Sequence, residues 1–374
     1  MIRYLFHGKI VILYGPRQVG KTTLVKKLVE QYDGAYFLCE EPDVNEALTN
    51  KTSTEMKAFL GNKKLIVLDE AQKIQNIGTS LKLLIDTYPD LQIIATGSSS
   101  FDLANKINEP LTGRNYEVRM YPLSIEEIVS KYSELEVRRL LERLMIYGTY
   151  PGVLDAGELI EENLKKITND YLYKDLLGYN GIRKPDLLQK ILKALAFQVG
   201  NEVSYAEIAQ SVQANKETVR SYIDILEKAF IVFRLFPLHK NKRDEVKSHH
   251  KIFFFDNGIL NTLLQNYHGL DSRDDIGRLF ENFFVAEKIK QRSNYSLNGS
   301  VYFWRKQKGG EVDFIEETDG GNVYRAFECK YTKPRAKLPT LFSDLYHPES
   351  FTVITKNSLV PHFVSTNVHP STNS

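Results

Sequence analysis

Cysteine is scarce: the 374 residues include two, Cys39 and Cys329. Two thiols are too few for a disulfide framework or a zinc cluster, and a chain of this length needs neither to hold a core. A reducing, cytoplasmic setting is therefore expected. Long apolar runs are missing too. LIVL at 65–68 and IIA at 93–95 fall far short of the ~20 residues that span a bilayer, so no membrane partner is expected. An excess of one charge is also lacking, since 49 Lys and Arg stand against 47 Asp and Glu, a formal net charge of +2. Any affinity for nucleic acid must then come from a local patch, because the whole-chain field is weak. What remains, 42% hydrophobic, 26% charged and 11% aromatic, is globular composition with length for about two or three domains, and it excludes a disordered tail protein.

The opening MIRYLFHGKIVILYG has the charge and apolar run of an export signal but no small-residue cleavage site. It leads straight into a glycine loop, so it reads as a buried first strand, and the sequons at Asn294 and Asn298 become chance matches. From Lys9 to Ser100, β-branched runs alternate with helical periods, the signature of a doubly wound α/β layer. KIVILYG, AYFLCE, KLIVLDE and LQIIATGSS are the expected strands; TTLVKKLVEQY and SLKLLIDTY are helices. The strands lack polar alternation, as expected when helices cover both faces.

The strongest motif is GPRQVGKT, Gly15 to Thr22, which fits the phosphate-loop pattern G-x-x-x-x-G-K-[ST]. It follows a strand and opens a helix, so backbone amides and the helix N-terminus converge on phosphate oxygens, with Lys21 for the β/γ-phosphates and Thr22 for a magnesium ion. Gly15, Pro16, Arg17, Gln18, Val19, Gly20, Lys21, Thr22 and Thr23 are the candidate residues for binding ATP. Downstream, an apolar run ends in Asp69-Glu70. Asp69 is expected to hold Mg2+ through water and Glu70 to activate the attacking water, which points to hydrolysis instead of transfer to a second substrate. Thr96, Ser98 and Ser99 offer hydroxyls near the γ-phosphate. Arg114 is the candidate arginine finger, supplied by a neighbouring subunit of a homo-oligomer.

Residues 1–123 thus form the expected P-loop ATPase core. Residues 124–200 carry 3.6-residue apolar spacing and form a helical, lid-like segment interrupted by YGTYP at 147–151. In 201–256, Ser204 can cap a short helix, a turn at Gln213-Ala214-Asn215 leads to a longer one, and IVFRLFPL and KIFFFD follow as strands, a winged-helix order. Residues 257–363 read as an α/β domain with a hairpin at Gly320-Gly321, and 364–374 as a disordered tail.

That hairpin carries a second constellation. With the turn centred on the two glycines, Asp313 faces Glu328, about 5 Å apart at Cβ, and Lys330 shares the Glu328 face. Asp313 and Glu328, with Glu281 from the preceding helix, are expected to share a divalent cation, while Lys330 positions a water; these are the parts of phosphodiester hydrolysis. A third feature is basic. Lys216, Arg220 and Lys228 lie on the longer helix, and residues 239–251 hold Lys240, Lys242, Arg243, Lys247 and Lys251 against Asp244 and Glu245. This loop and the winged helix are the candidate DNA contact.

GPRQVGKT, IVLDE, ATGSS, LTGR, YPLSIEE, YGTYPGV, KIFFFDNGIL, LFENFFVAE and YFWRKQKGGEVDF occur in this order. In them the chain resembles a prokaryotic family of AAA-type ATPases with a C-terminal domain of uncharacterised function related to restriction-endonuclease, PD-(D/E)xK, folds. The resemblance covers nearly the whole chain. It implies Lys21, Thr22, Asp69 and Glu70 for nucleotide and Mg2+, Arg114 as a finger, and Glu281, Asp313, Glu328 and Lys330 for the nuclease-like site. Such proteins usually begin with a helix before the first strand, whereas few residues precede it here, so a shortened adenine-contacting segment is expected. The expected function is a DNA-associated, Mg-dependent ATPase with a nuclease-like end; the alternative is a nucleotide-dependent switch or scaffold for protein partners whose nuclease-like domain is silent.

Overall fold

The computed structural model describes residues 1–97, 111–169, 182, 184–239, 249–306 and 310–365. These form two compact units, one mainly from residues 1–121 and the other mainly from residue 122 onward.

In the first unit, β1 (Ile10–Tyr14), β2 (Ala35–Leu38), β3 (Leu65–Asp69), β4 (Gln92–Gly97) and β5 (Asn115–Arg119) form a parallel sheet in the order β2-β3-β4-β1-β5. Every residue of β1, β3 and β4 is buried, which explains their unbroken apolar runs. Val11 and Leu13 pack with Val25 and Leu28 from the helix Lys21–Gln31, and with Leu65, Val67 and Ile94. Each such side chain contributes roughly 1.5–3 kcal/mol when fully buried. The strand β5 is absent from the sequence-based expectation because NYEVR is half exposed at the sheet edge and carries no apolar run. Since the strands are parallel, their C-terminal ends share one edge, where the loop after Tyr14, Asp69 and Gly97 all emerge.

The second unit holds β6 (Glu202–Val203), β7 (Val232–Pro237), β8 (His250–Phe254), β9 (Ser300–Lys306), β10 (Gly310–Thr318), β11 (Val323–Cys329) and β12 (Ser350–Ile354). They make one mixed sheet in the order β12-β11-β10-β9-β7-β8-β6. The expected boundary at 256/257 therefore runs through a continuous sheet, because β7 pairs in parallel with β9, Phe236 with Tyr302 and Pro237 with Phe303. Ahead of the β7/β8 hairpin, the helices Tyr205–Ser211 and Lys216–Lys228 are separated by a short turn. Phe314 pairs with Phe327 and Ile315 with Ala326, the register expected from the glycine pair. The turn is longer than two residues: Asp319–Gly321 form a 3-10 turn, with φ of 52°, 65° and 97°.

The helix Ile276–Tyr295 is buried on several sides, and its polar groups hold the segment that opens this unit. Glu287 Oε2 accepts the Ile125 N–H at 2.7 Å, and Lys290 Nζ donates to Thr149 Oγ1 at 3.0 Å and Leu123 O at 3.2 Å. YGTYP and KIFFFDNGIL meet through a cap. Asp256 accepts the N–H of Thr149 at 2.7 Å, Gly258 at 2.9 Å and Ile259 at 3.2 Å, and a Cβ on Gly148 would lie 2.1 Å from its carboxylate. Val364 and Ser365, expected in the tail, belong to the helix Leu359–Ser365; the rest of that tail lies outside the described residues. Among the described residues no helix is long and apolar enough to cross a membrane.

Candidate functional site

At the C-terminal edge of the first sheet, the loop from Gly15 to Gly20 joins β1 to the helix Lys21–Gln31. Gly20 has φ 98°, a conformation that costs glycine little, and a Cβ on Gly15 would lie 2.2 Å from Met120 O. Glycine is thus required at both ends of the motif. The Lys21 side chain is buried and donates to Gly15 O and Pro16 O, each at 2.8 Å. It closes the loop whose amides are expected to hold phosphate. Thr22 Oγ1 donates to Asp69 Oδ2 at 2.8 Å, so the two expected magnesium contacts are adjacent.

Two further hydroxyls complete the shell around Asp69. Tyr36 OH donates to Oδ2 at 2.6 Å, and Thr96, fully buried, donates to Oδ1. Burial and the Asp69 carboxylate push the Tyr36 phenol well above its usual range, which keeps it a donor. Thr96 Oγ1 also accepts the Glu70 N–H at 3.3 Å. Glu70 itself has φ 56°, and its carboxylate accepts from Gln72 Nε2. The Gln72 amide thus holds one oxygen of the Glu70 carboxylate. Of the hydroxyls expected near the γ-phosphate, Thr96 braces Asp69 and Glu70, whereas Ser98 and Ser99 lie outside the described residues. Sequence reasoning missed Tyr36 and Gln72; only the Tyr36 contact, between adjacent strands β2 and β3, follows from sheet order.

Arg114 stands elsewhere. It precedes β5, and its carbonyl accepts the Ile10 N–H at 3.0 Å, which places it at the N-terminal edge of the sheet, the length of β1 from its own phosphate loop. Its guanidinium pairs with Asp86 at 2.7 Å. It does not serve its own site, and a finger role requires a second copy.

In the second unit, Asp313 sits where β10 shifts register against β9 between Val312 and Ile315, a bulge that re-aims side chains. Asp313 Oδ2 accepts the Cys329 N–H at 2.7 Å, and Lys330 Nζ pairs with Glu328 Oε1 at 2.7 Å. Two unexpected residues join them. Lys251 Nζ lies 2.8 Å from Glu281 Oε1 and 2.6 Å from Glu311 Oε1. Burial disfavours its charge, but Glu281, Glu311 and Asp313 outweigh that and push its pKa up. Burial likewise raises Glu281, to about 7, against the pull of Lys251, and raises Asp313 and Glu328. The period-two spacing of Glu311 from Asp313 could have revealed Glu311; nothing local reveals Lys251.

Each of the expected metal ligands Glu281, Asp313 and Glu328 thus has an oxygen already engaged within the protein. Among the described residues no three His, Cys, Asp or Glu side chains form a set that could hold a metal ion, and Lys251, Lys330 and the Cys329 amide engage these carboxylates. The donor set does not fit a metal-dependent nuclease. Of the basic loop, only its two ends lie within the described residues. Lys251 faces carboxylates, and His250, 2.8 Å from Tyr205 OH, is pushed down to about 4 by burial, with Arg234 beside it, so it is neutral. Lys240, Lys242, Arg243 and Lys247, with Asp244 and Glu245, lie outside the described residues. A cavity of about 430 Å3 remains beside the two helices, lined among others by Tyr205, Lys216, Arg220, Phe236 and His249.

Residues 7–129 match the model of an AAA domain, and residues 138–269 and 276–369 match two domains of unknown function (DUF8612 and DUF4143). An uncharacterized protein of Mycobacterium tuberculosis is 28% identical over 341 residues, covering 88% of this chain and 72% of its own length. One of Methanocaldococcus jannaschii is 26% identical over 334 residues, covering 83% and 73%. Among solved structures, the Walker-type ATPase of Pyrococcus abyssi is 17% identical, with TM-score 0.46 over 68% of this chain and 91% of that one. The phosphate loop, the Asp69 cluster and the AAA match describe one segment, so the first unit carries a P-loop domain of AAA type.

Proposed function

We propose that the chain is an ATP hydrolase whose nucleotide cycle is coupled to nucleic acid bound by its second unit. The observation that carries the hydrolytic part is the Thr22–Asp69–Thr96–Glu70 chain of hydrogen bonds at the mouth of the phosphate loop. Bound Mg-ATP would supply the reactive phosphoanhydride, with the metal offsetting charge on its oxygens. Residues Gly15 to Thr23 would hold the phosphates, and Lys21 would exchange its two carbonyl contacts for them. Thr22 and Asp69 would hold the metal, with Tyr36 and Thr96 fixing the Asp69 rotamer. Glu70, oriented by Gln72, would take the proton of the attacking water.

The nucleic-acid part is supported by the helix–turn–helix and hairpin order of 201–256, read as a winged helix, and by Lys216 and Arg220 on a cavity that also exposes the Phe236 ring. Glu217 and Asp224 also line it, Asp224 paired with Arg234, which leaves Lys216 and Arg220 beside an aromatic face, an arrangement suited to a phosphodiester chain with an unpaired base. Arg114 would act as a finger between copies. ATP turnover measured with and without single-stranded and duplex DNA tests the coupling; stimulation that fades with salt supports it, and turnover indifferent to nucleic acid defeats it. The second reading, a nucleotide-dependent switch with a silent C-terminal site, is favoured by the ion pairs of Lys251.

A further inference from the structure

Buried carboxylates need counter-charge, and the source of that charge limits what a cluster can bind. Near the β10/β11 hairpin, Glu281, Asp313 and Glu328 are held above the usual carboxylate range, by burial first and then by neighbouring carboxylates that include Glu311. The buried cation among them is Lys251, whose side chain is 2% exposed, whereas Lys330 is half exposed. It comes from β8, outside the hairpin motif, and reaches the acids because β7 joins β8 to β9 in one sheet. Its contacts of 2.8 and 2.6 Å with Glu281 and Glu311 are charge-assisted hydrogen bonds. The Phe303 ring lies 5.3 Å from Nζ, so the ammonium is walled by an aromatic face as well. Asp313 and Glu328 each have one oxygen engaged, by the Cys329 amide and by Lys330. A magnesium-type ion needs carboxylate oxygens free to face it, with waters completing its octahedron, and here an ammonium stands against Glu281 and Glu311 while Asp313 and Glu328 each have an oxygen already taken.

We propose that Lys251 is the resident cation of this cluster: its ammonium fills the place a divalent ion would take, so the folded domain neither holds a catalytic metal nor cuts phosphodiesters by metal-assisted hydrolysis. Lys251 is a positioning residue that holds Glu281 and Glu311. The inference concerns the second unit alone. It is read by ion uptake, whereas hydrolysis by the first unit is read by phosphate release, so either can fail without the other.

The test is Mn2+ uptake by the nucleotide-free full chain carrying Asp69→Asn, which removes the other ion-binding carboxylate, followed by the loss of the free-manganese resonance. The expected result is no stoichiometric uptake, and one ion per chain gained on adding Lys251→Met with an unchanged circular dichroism spectrum. The proposal is overturned if the chain with Lys251 intact takes up one ion that Asp313→Asn abolishes, or if the folded Lys251→Met chain gains none. Should Lys251→Met not fold, Lys251→Arg keeps the charge and is expected to fold and take up no ion; uptake by it overturns the proposal, and the Asp313→Asn comparison decides in any case.

Discussion

The Thr22 hydroxyl donates to Asp69 Oδ2 at 2.8 Å, tying the first turn after the phosphate loop to the end of β3. Thr22 and Lys21 follow one another in the chain, but they act on different things: one on the carboxylate and one on the loop. Lys21→Ala is expected to abolish ATP binding and turnover together. Glu70→Gln is expected to keep binding while losing about 10²–10⁴-fold in turnover, the usual worth of a positioned base. Calorimetry and phosphate release on the same preparations check both, and near-normal turnover in Glu70→Gln would remove Glu70 from the chemistry.

Tyr36→Phe deletes one of three hydroxyls around Asp69. A single such hydrogen bond contributes about 0.5–1.5 kcal/mol, so magnesium-dependent ATP affinity should weaken roughly 3–10-fold with the magnesium-free affinity unchanged. Equal loss with and without magnesium would place Tyr36 outside the metal's surroundings.

Arg114 and Asp86 form a half-exposed ion pair, worth no more than about 1 kcal/mol to stability. Arg114→Ala should fold normally and lose about 10³-fold or more in turnover if the guanidinium acts across subunits. Mixing it with Lys21→Ala chains, which keep Arg114, should recover activity. Full turnover by Arg114→Ala alone rules out the finger.

His250 is neutral in the folded chain, with its pKa lowered to about 4 from 6.5. Between those values the unfolded chain binds a proton that the folded chain does not, so stability falls as pH drops from about 6.5 to about 4 and is fully present above 6.5. The effect is at most about 3 kcal/mol. Urea unfolding at both ends of this window should show a steeper acid loss in the parent than in His250→Gln; equal slopes would show that another group is responsible.

Gly148→Ala places a methyl group against the Asp256 carboxylate at a positive φ of 77°. Displacing that carboxylate leaves the buried Thr149, Gly258 and Ile259 amides short of an acceptor, at about 1–3 kcal/mol each. A thermal melt of the full chain should fall by several degrees or more, and an unchanged melt would mean the cap is dispensable.

Legibility followed the range of the interactions. Gly15, Gly20, Lys21 and Thr22 were readable because a phosphate loop imposes residue types on consecutive backbone positions. The β10/β11 register was readable because Gly320 and Gly321 centre it locally. YGTYP and KIFFFDNGIL stood out as motifs, yet their work is structural: Gly148 makes room for Asp256, whose capping of the helix Asn257–Leu264 is marked by Asp before Asn-Gly. Lys251 was misread because its neighbours in the chain are basic and polar, while its neighbours in space arrive through the β7–β9 pairing. No periodicity reports a pairing between strands so far apart in sequence.

The sheet that runs from β12 to β6 bears on how this protein can be taken apart. A fragment starting at residue 257 would leave the flank of β9 without β7, an open row of amides and carbonyls prone to pair with other chains, and would strip Glu281 and Glu311 of their ammonium. Such a fragment would aggregate or acquire affinities the intact polypeptide does not have, so whatever the last hundred residues do must be assayed with the preceding hairpin still attached.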